Sequence, residues 1–129
     1  MGISYSIDEA ARIVRVVHSG DSPIEEYEAV LTAIFCSPLF QPGFAFLIDR
    51  RRFESPPAAF VRRLIEFLNQ NRRSLAGARW AVVVESPAGY GMGRMGQMLA
   101  EGTGDAVTVC VFRDVGEAES WLRNPSPEK

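Results

Sequence analysis

Between Trp80 and Met95 the chain reads WAVVVESPAGYGMGRM, and Gly91, Gly93 and Gly96 complete a G-x-G-x-x-G pattern after an apolar run. In a dinucleotide fold such glycines turn the chain tightly off a strand, let pyrophosphate approach backbone amides and pack the next helix. An acid further along holds the ribose, and Asp114 stands where that acid belongs. Three features argue against a bound cofactor. Ser86-Pro87-Ala88-Gly89-Tyr90 separates the strand from Gly91, too far for the tight turn. The following helix has room for only about two to three turns before Gly102 and Gly104. A single strand remains after it, whereas a dinucleotide fold needs two such halves. A smaller role stays open: amides at the start of this third helix, with Arg94 beside them and Ser86 at the preceding strand end, could hold a phosphate or carboxylate. Glycines that permit close helix packing and left-handed turns explain the same residues without a ligand.

Arg50-Arg51-Arg52 follows the apolar run of the third strand, at the edge of an open α/β sheet where ligands tend to bind. Asp49 could orient one of these guanidinium groups; a solvated loop is the alternative. His18 is the only histidine and lies at a strand end near Ser19 and Asp21, with no nucleophile motif beside it. Without G-x-S-x-G, H-E-x-x-H or a paired-carboxylate signature, no catalytic residue can be assigned, and an enzyme is not expected. Cys36 and Cys110 lack C-x-x-C spacing, so no tetrahedral metal set can be assembled. No metal and no cofactor are expected.

At 129 residues the chain fits one domain with a single core. The formal net charge is −2, but unevenly spread: residues 1 to 49 hold seven acids against Arg12 and Arg15, while residues 50 to 79 hold eight arginines against Glu54 and Glu66. Thirteen of the fourteen basic residues are arginine, the better bidentate anion binder, although a genome-wide composition bias gives the same count. Nucleic-acid binding would want net positive charge and exposed aromatics among the basic residues, whereas Phe53 and Phe60 read as core. No apolar run reaches the roughly 20 residues of a membrane span, and MGISYSIDEA is no signal peptide, so the expected location is cytoplasmic.

The elements that must position these residues follow from periodicity. Ile3 to Ile7 alternates with Ser4 and Ser6, and Arg12 to His18 is rich in β-branched residues; together they predict an antiparallel hairpin. Ser22-Pro23-Ile24-Glu25 has the form of a capping box before the helical stripe Ile24, Tyr27, Leu31, Ile34 and Phe35, which ends near Ser37-Pro38. Phe44 to Ile48 is a continuous apolar run, the pattern of a strand buried on both faces. Ser55-Pro56 repeats the cap before a helix carrying Phe60, Val61, Leu64, Ile65 and Leu68 to about Ser74. Trp80 to Val84 and Val107 to Phe112 are further strands, flanking a helix through Met95, Met98 and Leu99. Asp114 with Glu117 caps a last helix whose Ala118, Trp121 and Leu122 face inward. Residues 1 to 123 are expected to form one domain in the order β-β-α-β-α-β-α-β-α, with 124 to 129 expected to be a disordered tail. This predicts a small mixed five-stranded α/β sheet, an N-terminal antiparallel hairpin then parallel strands, with helices on both faces.

The strand opened by Trp80, the helix bearing Gly93-Arg94-Met95, the run Val109-Cys110-Val111-Phe112-Arg113-Asp114 and Glu117-Ala118-Glu119-Ser120-Trp121-Leu122 together resemble the SpoIIAA-like proteins of the STAS/SEC14 type. The resemblance covers nearly the whole chain in element order. It implies a non-enzymatic role in regulation, protein contact or small-ligand binding. In the anti-sigma antagonist branch of such proteins, a serine opening the helix after the third strand is phosphorylated to switch partner binding. Ser55 occupies a comparable position in RRFESPP, which lacks that branch's Asp-Ser-Gly pattern. The leading expectation is a regulatory or interaction module with a protein partner or self-association as a homodimer. The alternative is a binder of a small anionic ligand (nucleotide, phosphate or acyl carboxylate) using Arg50, Arg51 and Arg52, or Ser86, Gly91, Gly93 and Arg94.

Overall fold

The computed structural model describes residues 2–20, 23–53, 57–103 and 107–123. β1 (Gly2–Asp8) and β2 (Ile13–Gly20) form the antiparallel hairpin, turned by Arg12 in a left-handed conformation at φ 61°. α1 (Ile24–Phe35) leads to β3 (Ala45–Phe53), then α2 (Ala58–Gln70), the single turn α3 (Arg72–Leu75) and β4 (Ala78–Val83). α4 (Pro87–Thr103), β5 (Val107–Phe112) and α5 (Val115–Arg123) follow. The sheet order is β1-β2-β3-β4-β5, with every pair after the hairpin parallel. The mixed α/β architecture expected above is therefore the one found.

Each crossover steps one strand in the same direction, and crossovers share one hand, so α1, α2 and α4 fall on one face of the sheet. There they cover Val14, Val16, Phe46, Ile48, Trp80, Val82 and Val109 with Tyr27, Leu31, Ile34, Leu64 and Leu68. At the centre the Phe46 and Trp80 rings stack at 4.8 Å. Among the described residues α5 alone lies on the other face, where Ala118 seals Ile13, Leu47, Ala81 and Val83. Because the strand order never reverses, the sheet lacks the switch-point crevice at which doubly wound folds hold dinucleotides.

Several boundaries differ from the sequence expectation. β3 runs on through Arg50, Arg51 and Arg52 to Phe53, so the arginines belong to the strand rather than to a loop beyond it. Pairing with β2 prolongs it: Val17 pairs with Asp49 and Ser19 with Arg52, so β3 spends an extra residue opposite His18 in a bulge. Helix α4 starts at Pro87, ahead of the glycines, and spans 17 residues, longer than the two to three turns allowed above. Its N-terminus is fixed by Ser86, whose Oγ accepts from the Gly89 amide at 2.9 Å while its carbonyl accepts from Tyr90 at 3.0 Å. The second helix is interrupted at Asn71, and Ala76 turns left-handed at φ 52° to end α3. α1 begins after Pro23, which stands at the cap rather than inside the first turn. Ser22, Ser55, Pro56 and the 124–129 tail lie outside the described residues.

Candidate functional site

Alternation along a strand decides what each residue at the carboxyl end of β3 can reach. Phe46 and Ile48 face the three-helix layer, and Arg50 continues that series; Leu47 faces α5, and Asp49 and Arg51 continue the other. Alternation therefore places Arg50 and Arg51 on opposite faces of the sheet.

On the α5 face Arg51 is taken up by its neighbour. Its Nε donates to Asp49 Oδ1 at 3.0 Å and its Nη2 to Oδ2 at 2.8 Å, a bidentate pair two residues apart on one strand. The hydrogen bonds and charge of Asp49, with the more distant Glu85 and Asp114, raise the Arg51 pKa above its ordinary value. Arg51 thus sits in an acidic setting that competes with any incoming anion.

On the helix face Arg50 enters an aromatic cluster. Its guanidinium carbon lies 5.1 Å from the Phe60 ring centroid and 5.7 Å from that of Tyr27. Its Nη2 is 3.4 Å from His18 Nδ1, and the His18 and Tyr27 rings lie 4.9 Å apart. His18 and Tyr27 are fully buried, contributed by β2 and α1, while Phe60 comes from α2. Burial, assisted by the Arg50 charge, pulls the His18 pKa down to about 3, so the ring is neutral at physiological pH and Nδ1 accepts from the guanidinium. Burial pushes Tyr27 up to about 12 against the opposing effect of Arg50, keeping the phenol a donor. Desolvation also lowers Arg50 from its ordinary value, and Tyr27 opposes that fall. Tyr27 Oη is buried and meets no hydrogen-bond partner among the described residues.

The cluster opens on a cavity of about 30 Å³ between α2, α4 and the sheet. Tyr27 and Arg50 supply its polar lining; Ile48, Leu64, Leu68, Trp80, Val82 and Val109 are among its apolar walls, and Gly93 and Gly96 bring the α4 backbone against it. The cavity is large enough for a water molecule. Of the residues named from sequence, the structure brings Arg50 and Gly93 together in this lining.

The others are dispersed. Gly91 and Arg94 lie inside α4, not at its N-terminus, so their amides are in the interior of a helix instead of facing a ligand. A Cβ on Gly93 would stand 2.5 Å from Val111 Cγ2, while one on Gly91 would meet nothing within 4 Å. Close packing of α4 on β5 accounts for Gly93. Arg94 sits near Cys110, whose thiol burial pushes up while the Arg94 charge opposes the rise. Ser86 is an exposed helix cap. The Arg52 side chain and the whole of Ser55 fall outside the described residues, as do their expected ligand and phosphorylation roles. Asp114 caps α5 by accepting from the Glu117 amide at 2.9 Å, as its spacing predicted.

Sequence reasoning passed over the assembled group. Tyr27 read as one more residue of an apolar helical stripe, and His18 as a strand-end polar residue. A signal was present: His18 continues the inward series of Val14 and Val16, a position that buries whatever occupies it.

Among the described residues no group of histidine, cysteine and acidic side chains is placed to hold a metal ion, and no helix is long and apolar enough to cross a membrane. No family model matches the chain, and no curated protein matches it. Among solved structures it is similar to an uncharacterised DUF3478-family protein with a SpoIIAA-like fold from Shewanella loihica PV-4. The TM-score is 0.64 at 16% identity, over 94% of each chain. At that identity the likeness speaks for architecture, and the architecture of this chain is SpoIIAA-like.

Proposed function

We propose that the domain is a non-enzymatic regulatory or interaction module that works by pairing with a second copy of itself through β1. The observation that carries this reading is the outer edge of the sheet. β1 is seven residues long, GISYSID, with neither lysine nor proline and no charge before its last residue, Asp8. Natural edge strands are ordinarily blunted by such residues, because unpaired backbone groups otherwise recruit another strand. Tyr5, 42% exposed, stands at the middle of this edge, and Val17, 41% exposed, lies on the strand beside it. The non-enzymatic part is supported by the roles of the polar groups best placed for chemistry: Ser86 and Asp114 cap helices, and Asp49 holds Arg51. Light scattering on the full chain is expected to give a dimer that Tyr5→Lys converts to a monomer with unchanged circular dichroism. A monomer at all concentrations would sink the reading.

A second reading, a small anionic ligand held at the carboxyl edge of the sheet, is favoured by Arg50, a cation packed among Tyr27, Phe60 and His18 at the end of β3. Thermal shift with phosphates, nucleotides and carboxylates tests it, since a ligand at 100 times its Kd stabilises by about 2.7 kcal/mol.

A further inference from the structure

We propose that the pocket at the amino end of the sheet, where the β1–β2 turn meets the turns leading into β3 and β4, binds the phosphate group of a small phosphomonoester through Arg12. The site lies at the opposite end of the parallel strands from Arg50 and Arg51, so the proposal rests on neither reading above.

The place follows from the backbone. Among the described residues, the non-glycine residues with a left-handed φ are Arg12 at 61° and Ala76 at 52°. Both line this pocket, together with left-handed Gly43 at 95° and Gly77 at 73°. Their turns precede β2, β3 and β4, neighbours in the sheet, so strand pairing brings them side by side. A side chain on a left-handed residue is strained, and such residues gather at active sites and ligand clamps, where the surrounding structure holds them. Arg12 is held on both sides: its amide donates to the Asp8 carbonyl at 2.8 Å, and its carbonyl accepts from the Ala45 amide at 3.0 Å. Glycine or asparagine would make this turn with less strain. The turn alone therefore does not explain the guanidinium.

The class follows from the lining. The pocket has a volume of about 330 Å³, small for a ligand site. Its charged described lining residues are Arg12 and Arg79, with no acid among them. The Arg12 guanidinium carbon lies 5.0 Å from the ring centroid of buried Phe44, which steadies an exposed side chain. No ion pair among the described residues engages it. Arg79 is anchored by Trp121: its Nη1 donates to the Trp121 carbonyl, and its guanidinium carbon lies 5.2 Å from the ring centroid. Arg79 is thus part of a fixed wall, while the anion-binding fork is that of Arg12. Asp8, in the same hairpin, turns its Oδ1 to the Ala11 amide at 3.0 Å and is not in the lining. A guanidinium fork matches phosphate oxygens bidentately. Because Ala11 and Arg12 are exposed, a dianion keeps part of its hydration here and escapes the penalty of full burial. The carboxyl edge offers no such setting, since Arg51 there stands among Asp49, Glu85 and Asp114.

The experiment titrates the full chain with glycerol 3-phosphate, dimethyl phosphate and glycerol at low ionic strength, reading Tm and the heat of binding. Glycerol 3-phosphate is expected to bind and raise Tm. Dimethyl phosphate, a monoanion, is expected to bind at least tenfold more weakly, and glycerol not at all. Arg12→Asn removes the cation with a residue that tolerates the left-handed turn, and it is expected to abolish binding. Ala11→Glu sets a carboxylate on an exposed position of the lining and is expected to weaken binding at least tenfold. Should Arg12→Asn fail to fold, Ala11→Glu decides the matter. Binding of glycerol 3-phosphate that survives both substitutions overturns the proposed place while leaving the carboxyl-edge reading intact. Dimethyl phosphate or glycerol binding as tightly overturns the proposed class. No binding by any of the three overturns the site altogether and leaves the dimer reading untouched.

Discussion

The guanidinium of Arg50 lies 3.4 Å, from Nη2 to Nδ1, from the ring of His18, a histidine with no solvent exposure. Two groups that could both carry positive charge thus meet at a part-buried contact, and the conflict is resolved by holding the histidine neutral. Burial is the larger influence and the arginine's charge the second. The neighbouring Tyr27 and Phe60 rings receive the guanidinium on their faces, an arrangement that favours cation over water once the site is dry.

Stability should therefore fall on mild acidification in a way traceable to one residue. The His18 pKa drops from 6.5 to about 3 on folding, so between those values the unfolded chain binds a proton that the native protein refuses. Proton binding to the unfolded state alone makes stability rise with pH, so the loss accrues as pH falls through 6.5 and ends near 3. The slope contributed is at most about 1.4 kcal/mol per pH unit. Urea melts of the wild type and His18→Gln between pH 7 and 4 are expected to differ in slope, the variant being flatter. Equal slopes would mean that His18 takes up a proton in the folded protein.

Two glycines two residues apart in α4 should respond oppositely to alanine. At Gly93 a new Cβ would collide with Val111, at 2.5 Å from Cγ2 and 2.9 Å from Cβ. Overpacking of that kind costs about 1–3 kcal/mol. At Gly91 the same methyl group enters open space inside a helix, so Gly91→Ala should stabilise by about 0.5–1 kcal/mol through reduced freedom of the unfolded chain. Thermal denaturation of both variants separates packing from propensity: a stabilised Gly93→Ala would show that α4 does not sit tightly on β5.

What the sequence could and could not convey is visible in these same residues. Strand and helix order follow from hydrophobic period, because burying an element on one face or two dictates where its apolar residues recur. The α5 cap was legible because Asp114 and Glu117 are local in sequence. The start of α4 was not: five glycines argue against a helix, and the packing of Gly93 on Val111 that rewards one comes from a different strand. The His18, Tyr27, Arg50 and Phe60 group was likewise hidden, since β2, α1, β3 and α2 each contribute one member. The arginine run looked uniform, and only the extension of β3 through it, with alternation, turned Arg50 to the helix face and Arg51 to the side of Asp49.

The Asp49–Arg51 pair should matter less than its geometry suggests. It is bidentate, yet the Arg51 side chain is 46% exposed, so water competes for both partners. Exposed pairs are worth about 0.2–1 kcal/mol. A double-mutant cycle with Asp49→Asn and Arg51→Met is expected to give a coupling within that range that shrinks in 1 M salt. A coupling well above it, insensitive to salt, would place the pair in a drier setting than the one described.

The caps on the two helices at the carboxyl edge should be separable from any ligand role by one pair of substitutions each. Asp114 Oδ2 accepts from the Glu117 amide at 2.9 Å, and Ser86 Oγ accepts from Gly89 at 2.9 Å. Replacing a capping side chain by alanine costs about 1 kcal/mol, and a replacement that keeps an acceptor costs little. Asp114→Ala and Ser86→Ala are therefore expected to lower Tm by a few degrees, while Asp114→Asn and Ser86→Asp stay close to wild type. The two alanine effects should add, because the caps serve different helices with no shared partner. If Ser86→Asp melts like Ser86→Ala, the hydroxyl is not acting as an acceptor for the first turn of α4.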